Sequence, residues 1–565
     1  MTAVLTEEIT EVVTPSPAPS PPRWGRGAKG NMDRLATRKD ALNRQESYEY
    51  DPAGNLTQFT DRKNQQSTFS YDALNRRTGT QYADGSSTSF TFGSVGRLSR
   101  ATDSIAGTIE LSYDTLDRLV KEITPQGVVT YAYDALGRRT TMTANGQAPV
   151  GYQYDAASRL MQVAQGSQIV GLGYDNANRR TSLTYPNGTN TSYSYDNASR
   201  LTNIAHNGPA GVIESLSYTY DAAGNRISLT RTNGSATLLP AAVQAAYDAA
   251  NEQIQFNSAS PNQTFDANGN LTTQTDATGT TTYTWDARNR LTATSGPGVN
   301  ASFVYDALGR RISKTINGVT TSYLYDGNDI VQEIGGGAVG ASYVRSLNID
   351  RSFVRETTDG NEYYHSDALG SSLAFSNGAG TVTISYSYEA FGKTTATGMS
   401  SNPFQYTGRE NDGTGLYYYR ARYYGPTAGR FTQVDPAGFV DGPNVYNYVM
   451  NNPLNNIDPL GLACKKCTNL EEILNNCHAR FSKFQSHETE THVGACAEYR
   501  YLPQNFGRLC PSKDKGCYLK DVYAAQADCA QRPNGRDANT LGKLDECSRK
   551  LEKCIEEGGL DNYRR

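Results

Sequence analysis

The most regular pattern along the chain places two aromatic residues two positions apart with an aspartate directly after them, as in SYEYD at 47–51, TFSYD at 68–72 and TYAYD at 130–134. On a β-strand, residues two apart project from one face, so each pair of rings shares a face and can stack against rings of neighbouring strands. The aspartate ends the strand. The residues after it, DALNRR at 72–77, DALGRR at 134–139 or DAAGNR at 221–226, are turn-forming: Asp bonds to nearby backbone, and Gly or Asn tolerates a left-handed conformation. Four residues after the Asp stands Arg76, Arg118, Arg138, Arg159, Arg179, Arg200, Arg290 or Arg310, with Asn55, Asn225 and Asn270 in other copies, which predicts an Asp–Arg pair across the turn. A strand rich in Thr, Ser, Leu and Ile comes next, so each unit reads as a β-hairpin.

The aspartate mark recurs at Asp51, Asp72, Asp114, Asp134, Asp155, Asp175, Asp196, Asp221, Asp306 and Asp326, with degenerate copies at Gly93, Asp248, Asp266 and Asp286. The copies lie about 20 residues apart, the signature of a repeat array. Each unit reuses the same packing positions, so the Tyr and Asp residues are read as structural. The alternative, rows of Tyr as sugar-binding platforms, requires exposed ring faces, which rings packed between hairpins lack.

Composition narrows this picture. A hydrophobic fraction of 37% and a mean hydropathy of −0.60 would suit a disordered chain if aromatic residues were scarce, but Tyr occurs 38 times. A net charge of −4 over 565 residues offers no field to gather nucleic acid or an anionic membrane. Residues 1–45, with the TPSPAPSPP stretch at 14–22, are expected to be a disordered Pro-rich leader without a signal peptide. No transmembrane segment is expected.

The C-terminal end has a different texture. All nine cysteines, Cys464, Cys467, Cys477, Cys496, Cys510, Cys517, Cys529, Cys547 and Cys554, come after residue 463, which places a domain boundary at 462–463. Spaced apolar residues over 469–484, 517–530 and 541–557 predict helices. Three readings of the cysteines stay open. A disulfide-stapled domain leaves one of nine thiols over. Zinc binding finds no second CxxC to match Cys464 and Cys467. A nucleophilic cysteine has His478, His487 or His492 available, with no motif to select a pair. HETETH at 487–492 spaces its histidines by five, unlike a zincin helix, and no PCxxC lies downstream to make a nucleobase deaminase. No metal or cofactor is expected, and the basic excess of the tail is too small to argue for nucleic acid.

Between the hairpins and the tail, from residue 361, lie YYHSDALGS at 363–371, TGREND at 407–412, GLYYYRARYYGPTAGRFTQVDPAGF at 415–439 and PNVYNYVMNNPLNNIDPLGL at 443–462. Asp435 and Asp458 each open a DPxG turn, with Arg422 upstream. Two carboxylates brought together do not both ionise easily, so one serves as acid and the other as base toward water, while Arg422 holds one carboxylate ionised or stabilises an oxyanion. The bland reading is that these are turn formers and a structural ion pair. His365 is the second choice of catalytic residue, because histidine titrates near neutrality, but it stands in a strand motif and is read as structural.

The hairpin copies resemble the YD repeats of Rhs proteins, teneurins and the C components of insecticidal toxin complexes over roughly residues 46–462, and the segment at 361–462 is similar to the Rhs-associated core. It departs from that core at Phe439, Gly425 and Asp441, where Leu, Asp and Gly are common. The resemblance implies a mainly β fold: hairpin repeats over 46–360 wound as a spiral sheet into all or part of a hollow shell, a core at 361–462, and a small helical cysteine-rich C-terminal domain at 463–565. It further implies one intramolecular cut by Arg422, Asp435 and Asp458 between Leu462 and Ala463, releasing the tail as a toxin. A delivery component and a cognate immunity protein are the implied partners, and the chain is expected to be made in the cytoplasm and secreted or delivered. The alternatives are a surface protein that contacts carbohydrate, or a fragment of a larger Rhs protein.

Overall fold

The computed structural model describes residues 34–233, 243–439 and 442–462, together with the backbone of the strand Lys465–Lys466. Most of the expected leader, Asp441, Ala463, all nine cysteines and the expected helical tail lie outside the described residues. Two long antiparallel meanders carry the fold, nineteen strands from Thr37–Lys39 to Arg226–Arg231 and fourteen from Gln263–Phe265 to Thr394–Gly398. Within each, every strand pairs with its neighbours in sequence, so the array is built of successive hairpins.

The hairpins begin earlier than the expected boundary at 46. Thr37–Lys39 is already a strand, and DALNR at 40–44 forms the repeat turn. The Asp40 carboxylate accepts the Leu42 and Arg44 amides at 2.9 Å and pairs with Arg44 at 2.5 Å and Arg62 at 3.1 Å. This copy lacks the Tyr-x-Tyr that marks the others in sequence.

A single turn shows how the units are made and joined. Asp134 Oδ1 accepts the amides of Leu136 and Arg138 at 2.9 Å, and its Oδ2 meets Arg138 Nε at 2.7 Å. Gly137 takes a φ of 78°, and a bulge at Ala132/Tyr133 turns the strand, as a left-handed residue beside a bulge does. The guanidinium of Arg138 then lies over Tyr154 of the next unit at 4.6 Å, and the Tyr154 hydroxyl donates to the Arg139 carbonyl at 2.7 Å. The same pattern joins Arg118 to Tyr133 and Arg179 to Tyr195. Sequence pattern suggested ring-on-ring stacking between units, but here an arginine fills the gap because strand spacing sets the guanidinium over the neighbouring ring.

The second meander lies against the first. Arg288 bonds Asp103 at 2.5 Å, Arg310 bonds Glu122 at 2.7 Å, Arg139 bonds Asp326 at 2.5 Å and the Tyr185 hydroxyl donates to the Tyr364 carbonyl at 2.7 Å. Partners are 222 residues apart for Arg44 with Asp266, 187 for Arg139 with Asp326 and 150 for Tyr218 with Ala368. The separation between facing residues thus falls from 222 at the start of this contact to 150 at its end, with 195 between for Gln168 and Tyr363. Buried apolar clusters join the windings, for example Val129 and Val163 with Val344 and Val354.

Residues after 400 form a stopper against the wall. A four-stranded sheet, Glu410–Asn411, Tyr417–Tyr419, Arg422–Gly425 and Arg430–Phe431, packs Tyr417, Tyr419 and Tyr424 into the cluster that holds Ile204, Leu216, Tyr323 and Phe375. Residues of the segment after 400 find partners along the wall: Asn455 with Arg226 at 2.7 Å, Arg430 with Asn251 at 2.8 Å, Tyr446 with Gly269 at 2.8 Å, Gln433 with Asn289 at 2.9 Å, Arg420 with Asn328 at 3.0 Å and Thr407 with Ser371 at 3.1 Å. Contacts spread this widely make the segment a cap. Among the described residues, no helix is long and apolar enough to cross a membrane.

Candidate functional site

Arg422 enters the site from the edge of a tight hairpin. Tyr419 pairs with Arg422 across the turn Arg420–Ala421, where Arg420 has a φ of 62°. Strand alternation sends Tyr417 and Tyr419 to one buried cluster and Tyr418 and Tyr423 to another, so the hairpin is buried on both faces. The Arg422 guanidinium lies 3.6 Å from the centre of the Phe431 ring, a stacked arrangement that holds its plane.

The three residues singled out in sequence meet here. One terminal nitrogen of Arg422 bonds Asp435 Oδ2 at 2.9 Å and Asp458 Oδ2 at 3.3 Å, and the three side chains are 1, 4 and 2% exposed. The Asp435 amide donates to the Val445 carbonyl at 3.1 Å, and the other Asp435 oxygen accepts the Ala437 amide at 2.8 Å. The DPxG turn thus fixes Asp435. Arg422 also donates to the carbonyls of Val445 at 3.1 Å and Gly461 at 2.5 Å.

The segment next to the expected cut is held atom by atom. Asp458 Oδ1 accepts the Leu462 amide at 3.1 Å, the Leu460 carbonyl accepts the Ala421 amide at 3.1 Å, and the Gly461 carbonyl accepts from Arg422. The Pro459 carbonyl accepts from both Arg409, at 3.2 Å, and Arg420. Asn456 and Ile457 pair antiparallel with the backbone of Lys466 and Lys465. A cavity of about 390 Å³ borders this seat, lined by Leu460, Leu462, Pro436, Arg409, Arg420 and Tyr423 among others.

His365 takes no part in this cluster. It is buried in the wall, with Nε2 2.9 Å from Ser376 Oγ and its ring 5.3 Å from that of His206. Burial lowers its pKa well below the ordinary histidine value, and the His206 charge lowers it further. Among the described residues, no group of His, Cys, Asp and Glu is arranged to hold a metal. Arg409, Arg420 and Asp350 are members of the site that motif reading passed over. The signal for two of them is present in sequence, in TGREND and YYYRARYY, but a second arginine two positions from Arg422 looks like its duplicate until the turn separates their roles.

Known proteins share both the repeats and the fold. The teneurin YD-shell family profile matches residues 184–454, and the RHS repeat profile matches residues 50–87, 113–147 and 154–190. The chain is 59% identical over 59 residues to toxin subunit YenC2 of Yersinia entomophaga, covering 10% of this chain and 6% of that protein. It is 36% identical over 134 residues to toxin subunit YenC1 of the same organism, covering 22% of this chain and 14% of that one. Toxin protein Tse5 of Pseudomonas aeruginosa is 36% identical over 104 residues, 18% of this chain and 8% of its own. The matched stretches therefore span a small part of these relatives. The crystal structure of TcdB2-TccC3-TEV shares the fold at 20% identity with a TM-score of 0.59, over 76% of this chain and 28% of that one. Repeats, wall and stopper agree on one assignment, and the chain is a member of the RHS/YD-repeat family.

Proposed function

We propose that this chain cuts itself once, between Leu462 and Ala463, and so frees residues 463–565 as toxin cargo from a YD-shell carrier. The observation that carries the reading is the seat of Pro459–Leu462: its Gly461 carbonyl accepts from Arg422, which also grips two buried carboxylates, and one of these, Asp458, accepts the Leu462 amide. A buried guanidinium balances one negative charge, so the neutral state of the trio keeps one proton over the two carboxylates. The ionised carboxylate takes a proton from water as the water oxygen adds to the Leu462 carbonyl carbon. The protonated carboxylate then gives its proton to the Ala463 nitrogen as the C–N bond breaks. The cavity beside Leu462 offers room for that water. Arg422 already donates to Gly461, Val445 and both carboxylates, which favours charge balance and alignment over oxyanion binding as its role.

Toxin subunits among the relatives support a toxic cargo. The reading brings with it a delivery component, a cognate immunity protein and a route out of the cytoplasm in which the chain is made. The sugar-contact alternative gains nothing from the repeats, whose Tyr rings are covered by arginine. Intact-mass measurement of the purified chain tests the cut. The parent is expected as two pieces meeting at Leu462–Ala463, and Asp435→Asn and Asp458→Asn each as one uncut chain. Cutting at the parental bond in both variants would sink the assignment.

A further inference from the structure

The Pro459 carbonyl is contacted by two guanidiniums, which is more than a turn carbonyl needs. Arg409, itself buried, and Arg420 converge on it from two different parts of the stopper. Both then pair with one carboxylate of the wall: Asp350 accepts from Arg420 at 2.7 Å and also pairs with Arg409. Arg420 further bonds Asp329 at 3.0 Å and the Asn328 carbonyl at 3.0 Å, and Asp329 accepts the Asp350 amide at 3.2 Å. Proline has no amide hydrogen, so the start of Pro459–Leu462 can be held only through its carbonyl.

We propose that Arg409, Arg420 and Asp350 are positioning residues for the cut at Leu462, linking the last winding of the wall to the segment that is cleaved. The proposal rests on the self-cleavage reading above. Three successive carbonyls are held, Pro459 by Arg409 and Arg420, Leu460 by the Ala421 amide and Gly461 by Arg422, while Asp458 holds the Leu462 amide. The first is the one whose holders are anchored in the wall. A wall not yet wound as far as Asp329 and Asp350 leaves Arg409 and Arg420 unpaired, and the segment lies loose beside the carboxylates. A misplacement on the order of 1 Å suffices to cost about 100-fold in rate. Cutting is thereby tied to completion of the last winding, so the cargo is severed from a wall already in place.

The test is timed synthesis of the full chain followed by intact mass, with melting temperatures measured in an Asp435→Asn background where no variant cuts. Arg420→Gln and Arg409→Gln are expected to slow cutting about 100-fold, Arg420→Lys to recover it to within about tenfold, and Asp350→Asn to slow it as the arginine variants do. The melting transition is expected to persist in all of them. If the parent cuts and the Gln variants cut at the parental rate, the positioning role is overturned while the self-cleavage reading stands. If cutting and the melting transition are lost together and Lys restores neither, the residues are structural and the proposal fails. A parent that never cuts overturns both readings.

Discussion

At Gly461 the backbone has a φ of 69°, and a β-carbon added there would stand 2.2 Å from the Tyr419 carbonyl oxygen. A backbone atom cannot give way as a flexible side chain does, so Gly461→Ala has to move the segment itself. The strain is of order 1–3 kcal/mol, small beside the stability of so large a wall but enough to shift Leu462 from its place. We expect Gly461→Ala to fold and to cut about 100-fold more slowly, read by intact mass at successive times after synthesis. Parental cutting in this variant would show that the seat does not align the bond. The glycine is visible in sequence as part of DPLGL, where it reads as an ordinary turn former. Only the approach of Tyr419 and Arg422, some forty residues earlier, shows why a side chain is excluded.

Where strands of the two meanders meet, the pairing of elements carries a pH dependence. His206 lies on the strand Leu201–Gly208 and His365 on Gly360–Ser366, their rings 5.3 Å apart. A carbonyl only accepts, so His206 Nε2 donates its proton to the Ser366 carbonyl at 3.1 Å, and Nδ1 accepts from Thr191 at 2.8 Å. Burial pushes His206 down from 6.5 to about 4, against the favourable Ser366 carbonyl and Glu214 charge, and Arg231 lowers it a little further. Beside it, His365 is held down by burial and by His206, with Tyr185 and Ser376 as its other neighbours. As the pH falls from about 6.5 toward 4, the unfolded chain takes up protons that the wall does not, so stability is full above this window and is lost on acidification. The melting temperature should fall across that range, and less steeply in His206→Gln. Equal slopes for parent and variant would remove the histidines from the account. Strand character at both sites was readable from alternation, but the contact of His206 with Ser366 across 160 residues was not.

Over the whole molecule, the wall, the stopper and the tail divide the work. Stopper contacts run from Arg226 to Ser371, so this end of the wall closes as a unit. Residues beyond the cut are cargo in this reading, and cargo is expected to act without the wall. Residues 463–565 produced alone in bacteria, with and without export to the periplasm, are expected to arrest growth in one of the two compartments. Normal growth in both would count heavily against a toxin.

The features that the chain declares by itself come from local rules. Period-two aromatic residues, Asp-led turns and an arginine four positions on establish hairpins wherever they occur, because each feature acts within a few residues. The same locality made Asp435 and Asp458 readable as turn-borne carboxylates. The Thr37–Lys39 strand escaped notice because its copy has the turn and lacks the aromatic pair. Tertiary structure decided the rest: that arginines cover the rings, that the second meander lies against the first, and that Arg409, Arg420 and Asp350 gather at Pro459. These depend on which hairpins lie one winding apart, and that spacing emerges from the summed length and twist of many units, so no single motif states it.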